Sequence, residues 1–143
     1  MPATLDHRKA FLARSHGDLL AVYSWVNDEH ALILLRAHRP GAPWYVVMES
    51  AAHTWDDSNP ANVPAVAAKA LKACEVLGLE PTPRNAQRVA AIVIDGLPDL
   101  IWMPAAPPAE RHNASIGRMI LRADGKTLAE QDLRLEKGGA TYA

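Results

Sequence analysis

Apolar residues recur at helical spacing in the middle of the chain and at strand spacing on either side of it. Val63, Val66, Ala67, Ala70, Leu71, Cys74 and Leu77 follow Ser58-Asn59-Pro60, and the run stops at Gly78. Lys69, Lys72 and Glu75 fall on the other side. This spacing predicts an amphipathic helix lying on something apolar. Asp57-Ser58-Asn59-Pro60 reads as its cap, and Gly78-Leu79 as a left-handed terminal residue with a hydrophobic contact after it. A second helix is expected from Thr82-Pro83 to Asp95-Gly96, with Ala86, Val89, Ala90 and Val93 inward. The β-branched run Ile92-Val93-Ile94 would also suit a strand, but the cap and stop signals favour a helix. The linker is short, so the two helices form a helical hairpin.

The flanks read differently. Leu19 to Val26, Ala31 to Ala37 and Trp44 to Glu49 are short, rich in strand-favouring residues and bounded by turn formers. Connections as short as Asn27-Asp28-Glu29-His30 favour antiparallel neighbours, so a three-stranded meander is expected. Near the C-terminus, Asp124-Gly125 separates Ile116–Ala123 from Lys126–Glu136, a strong hairpin signal. The alternation of the second arm slips near Glu130 and Gln131, where a bulge is expected. Leu5 to Ser15 would form a short helix stopped by Gly17, with a thin apolar face. Leu97 to Pro108 is broken by prolines and reads as ordered loop or extended chain.

The expected class is therefore α+β. An antiparallel sheet, built from the N-terminal meander and the C-terminal hairpin, carries the helical hairpin on one side. Residues 1–143 would form a single domain, with 137–143 a flexible tail.

Composition narrows the function classes. The chain has 143 residues, 49% hydrophobic and 22% charged, as in an ordinary globular protein. A formal net charge of −1 gives no overall pull towards nucleic acid or an anionic membrane. The apolar runs are too short for a membrane helix, and no secretory h-region follows Met1, so a cytoplasmic location is expected. Cys74 is the one cysteine, which excludes an intramolecular disulfide. Its place on the apolar stripe makes it a small buried hydrophobe rather than an exposed nucleophile.

Several residues carry possible chemistry. His53, Asp56 and Asp57 sit close together after a strand and could serve a metal or an acid–base site in a small hydrolase. No second histidine lies nearby in sequence, and the six histidines are scattered without a ligand pair. Ser15-His16-Gly17-Asp18 contains triad residue types, but their adjacency in sequence is no sign of a triad. No phosphate-cradling loop, dinucleotide fingerprint or nucleophile elbow occurs. Arg36 and Arg39, followed by Trp44 and Tyr45, could stack and neutralise a single-stranded nucleic acid. Leu100-Ile101-Trp102-Met103, closed by Pro104, must either cap the core or serve as a hydrophobic contact patch.

The alanine- and arginine-rich vocabulary, with Gly117-Arg-Met-Ile-Leu-Arg-Ala-Asp-Gly-Lys126 near the end, resembles small phage and prophage proteins of GC-rich bacteria. The resemblance implies a role in virion assembly or in manipulating a host protein, within the host cytoplasm. The leading expectation is a non-enzymatic protein-interaction module without a cofactor. It would bind another protein or itself, as a small homo-oligomer. Nucleic acid is a less favoured partner, and a membrane is not expected.

Overall fold

The computed structural model describes residues 12–27, 30–51, 60–97, 100–106, 114–136 and 139–142. The chain is α+β, and both of its sheets are antiparallel. It divides into two compact units, Met1–Asp56 and Asp57–Ala143. The meander and the C-terminal hairpin lie in separate sheets, one in each unit, and each sheet has an additional strand or strands.

The first unit is a four-stranded sheet in the order β1-β2-β3-β4. Its strands are β1 (Leu12–His16), β2 (Leu19–Asn27), β3 (His30–Ala37) and β4 (Tyr45–Ala51). The last three are the expected meander. Residues 12–16 are a strand rather than the end of a short helix. The cause lies in Gly17-Asp18, which joins His16 to its partner Leu19. Gly17 has φ +70°, and a two-residue hairpin loop favours glycine at its first central position. Pairing with β2 satisfies the backbone of residues 12–16, and residues 5–11 of the expected helix lie outside the described residues. Leu19, Ala21, Tyr23, Ile33 and Leu35 are buried and share one face of the sheet by register.

The second unit begins with α1 (Asn62–Val76) and α2 (Pro83–Asp95). Six of the seven residues expected on the α1 stripe are buried, from Val63 to Cys74, and Leu77 lies half-exposed at the end. The cap differs from the sequence expectation: the N-cap residue is Ala61, which has no side-chain oxygen to offer. At the other end Gly78 has φ +74°, and Leu79 N–H donates to Cys74 O at 3.1 Å, so the terminal motif is as expected. α2 is helical throughout. Thr82 Oγ1 accepts from Asn85 N–H at 3.2 Å, and Pro83 occupies the first turn, where its missing N–H costs nothing. This local capping outweighs the strand preference of Ile92-Val93-Ile94.

The second sheet has the order β5-β6-β7-β8. Its strands are β5 (Leu100–Pro104), β6 (Ala114–Ala123), β7 (Lys126–Glu136) and β8 (Gly139–Tyr142). At the β6–β7 turn Asp124 has φ 52° and Gly125 φ 75°, the two positive values a tight hairpin turn requires. The expected bulge is displaced. Leu121 pairs with Ala129 and Arg122 with Thr127, so the extra residue is Leu128 rather than Glu130 or Gln131. A second irregularity at Ile116 lies between Ser115 and Gly117. Residues 139–142, expected as loose tail, pair with β7 as strand β8.

Helices α1 and α2 pack on each other and on this sheet. Met119, Leu121, Leu133 and Leu135 are buried on the helix side, while Arg118, Glu130, Asp132 and Arg134 lie on the other face. An antiparallel sheet buried chiefly on one side gives this alternation, although Ile120, opposite Glu130 on the other face, is buried too. No helix among the described residues is long and apolar enough to cross a membrane.

Candidate interaction surface

The proline-bounded stretch Leu100–Pro104 is an edge strand. β5 pairs with β6 on one side, and no strand among the described residues pairs with it on the other. Pleating splits its side chains between two faces. Leu100 and Trp102 stand opposite Leu121 and Met119, on the helix side. Ile101 and Met103 stand opposite Ile120 and Arg118, on the outer side, and are 37% and 54% exposed. The sequence cluster is thus half core and half surface.

Two devices hold β5 to its neighbour. The first is Gly117, whose φ of +153° is open to glycine but not to other residues. A Cβ there would lie 2.6 Å from Met103 O, 2.8 Å from Pro104 Cα and 2.7 Å from the Trp102 ring. The missing side chain lets the indole lie back over the β6 backbone, away from the open edge. The second is Gln87 of α2, whose Nε2 donates to both Ala105 O and Ile116 O at 2.8 Å. Ile116 O also accepts from Ala105 N–H at 2.9 Å, so the helix is tied to the sheet where β5 ends and β6 bulges. Gln87 does not stand out in the sequence. The usable signal was a glycine interrupting the apolar alternation of Ile116–Ala123.

The Ala105–Ile116 bond also sets the backbone phase of β5. Hydrogen bonding alternates along an antiparallel pair, so Ile101 and Met103 bond to β6. Leu100, Trp102 and Pro104 direct their backbone groups to the open edge. Pro104, lacking an N–H, falls where no ladder bond with β6 is lost. Charge near the strand is local: Arg118 Nη1 meets Glu130 Oε2 at 2.9 Å, and Ser115 Oγ donates to Asp132 Oδ1 at 3.0 Å. β5 itself carries no charged residue.

In the first unit, the Arg36 guanidinium carbon lies 4.7 Å from the Trp44 ring centroid. The pair satisfies itself by a cation–π contact, and Arg36 Nε is buried without a hydrogen-bond partner. Trp44 remains 42% exposed, Arg39 is exposed, and Tyr45 is half-buried. The structure therefore brings Arg36 and Trp44 together. Ser15 Oγ and His38 Nδ1 are 3.0 Å apart at the surface, a pairing of β1 with the residue after β3 that no sequence spacing suggested. A serine–histidine contact alone lacks the oriented base and the oxyanion donors of acyl transfer.

Cys74 is buried, as expected. Burial foremost, and Glu75 beside it, push its thiol up from 9.0 to about 12, with Arg88 opposing. A thiol held protonated is a poor nucleophile. His53, Asp56 and Asp57 lie outside the described residues. Among the described residues no group of three or more histidine, cysteine, aspartate or glutamate side chains converges as a metal site would require. No protein-family model, curated protein or solved structure matches the chain.

Proposed function

We propose that the protein is a non-enzymatic interaction module that binds another protein through β5. The observation carrying this reading is the uncharged edge strand with Ile101 and Met103 outward and its backbone groups at Leu100 and Trp102 turned to the open side. Sheet edges are ready-made templates for a further strand, and proteins commonly blunt them with charge, bulges or an internal proline. β5 has only its terminal proline. Strand addition supplies main-chain hydrogen bonds, and the outward side chains supply selectivity. With the phage-protein resemblance, the reading extends to virion assembly or to contact with a host protein.

Methionine oxidation tests it. Met103 is half-exposed and Met119 fully buried, so the two report contact and unfolding separately in one sample. In extract of the native host, Met103 will oxidise several-fold more slowly than in dilute pure protein, with Met119 unchanged. Equal Met103 rates in dilute protein, in extract and in concentrated pure protein would reject the reading.

Single-stranded nucleic acid is the second reading, favoured by the exposed Trp44 ring beside Arg36. It requires salt-sensitive binding, and the absence of a mobility shift at low salt rejects it.

A further inference from the structure

We infer that the strand added to β5 is β5 of a second copy, antiparallel and centred on Trp102. This rests on the reading of β5 as the contact surface and names its partner. The argument begins with the backbone phase. Leu100, Trp102 and Pro104 face the open edge, so two copies related by a twofold axis at Trp102 present matching groups. Each Trp102 exchanges its N–H and C=O with the other copy's Trp102. Each Leu100 N–H donates to the other copy's Pro104 C=O. The only bond forgone is the donor that Pro104 lacks, and that proline also ends the pairing.

The side chains fit the same register. Ile101 falls opposite the second copy's Met103, and Met103 opposite its Ile101. These are close, non-hydrogen-bonded positions on the outer face, where cross-strand side chains touch most fully. Both are among the few large apolar side chains exposed in the described residues. Centred on Trp102 the two large exposed side chains meet each other, whereas centring on Ile101 would set Met103 against Asp99 and centring on Met103 would set Ile101 against the smaller Ala105. On the helix side, the Trp102 indole lies back over Gly117 and leaves the edge open to an approaching strand. With no charge in Leu100–Pro104, nothing in the strand repels its own copy.

The test uses opposite charges on the full chain. Ile101→Lys and Met103→Glu each set a charge against an apolar residue at both ends of the symmetric pair. Sedimentation of the wild type from about 10 µM to about 1 mM, a range covering weak strand pairing, will show mass rising towards the dimer. Each single variant will stay monomeric. Mixing the two will restore dimer. The ammonium introduced by Ile101→Lys in one copy then faces the carboxylate introduced by Met103→Glu in the other, while the unaltered Met103 and Ile101 meet at the far end. A second measurement is independent of affinity. Mixed Ile101→Cys and Met103→Cys proteins will form a disulfide across the pair under mild oxidant, and either alone will not. The buried Cys74 thiol stays out of that reaction.

A wild type monomeric up to about 1 mM overturns the inference. So does a mixture that recovers no dimer while the wild type dimerises, since the contact then lies elsewhere or in another register. Met103 protected in extract but not in concentrated pure protein would overturn self-pairing and leave the contact reading standing. Protection in neither would end both.

Discussion

Replacing Gly117 with alanine tests how β5 is held. The added Cβ meets Met103 O, the Trp102 ring and Pro104 Cα at 2.6–2.8 Å. The indole can swing aside, but the other two contacts are backbone of the edge strand and yield only if β5 moves off β6. The φ of +153° adds strain of about 1–3 kcal/mol for a non-glycine residue. Overpacking against fixed backbone adds a further ~1–3 kcal/mol. Together the cost is about 2–6 kcal/mol, a large share of the ~5–15 kcal/mol that holds a typical domain folded. Gly78→Ala is the control: φ there is +74°, with open space around the would-be Cβ. It meets strain without collision and should cost about 1 kcal/mol. Urea titration followed by tryptophan fluorescence measures both. Amide exchange should further show β5 opening in Gly117→Ala before the β6–β7 hairpin does. A Gly117→Ala cost equal to that of Gly78→Ala, with β5 amides still protected, would refute the close approach of β5 to β6.

Further substitutions probe other links. Gln87→Leu removes both bonds to Ala105 O and Ile116 O and should cost about 1–3 kcal/mol in urea unfolding, with β5 amides exchanging faster. Thr82→Ala removes the α2 cap and should cost about 0.5–2 kcal/mol by the same titration. Arg118→Ala should change stability by under about 0.5 kcal/mol, because its ion pair with Glu130 is solvent-screened. Cys74 makes the protein alkali-sensitive. Its folded thiol sits at about 12 against 9.0 when exposed, so its contribution is complete below pH 9.0 and is lost as pH rises towards about 12. At about pH 10 the wild type should already have lost ~1.4 kcal/mol relative to its neutral-pH stability, a loss absent from Cys74→Ala.

Where local chemistry decides, the sequence was readable. Asp124-Gly125 marks its hairpin because few residue pairs accept two positive φ values. The α1 stripe declared itself because Lys69, Lys72 and Glu75 stay exposed opposite it, while α2, which buries Ile92, Val93 and Ile94 in succession, was legible from its cap and stop signals. Failures came where pairing decided. Residues 12–16 carry little apolar periodicity and become a strand only because Gly17-Asp18 folds them onto β2. Gly139–Tyr142 looks like tail, yet β7 has an open edge that takes it. Prolines hid β5, since they rule out a central strand but not an edge one. The split of its cluster into inward Leu100 and Trp102 and outward Ile101 and Met103 follows from register with β6, which composition cannot supply. Gln87 was invisible for the same reason: its two acceptors lie 18 and 29 residues away.

The central claim, that protein docks on β5, is tested most directly by a photo-crosslinking amino acid placed at position 103 in cells that naturally make the protein, with the same group at Lys72 as control. Lys72 is exposed on α1, far along the chain from the proposed contact. Light should yield discrete protein adducts from position 103 and none from position 72. A bare position 103, with the protein folded and the crosslinker active, would contradict the claim.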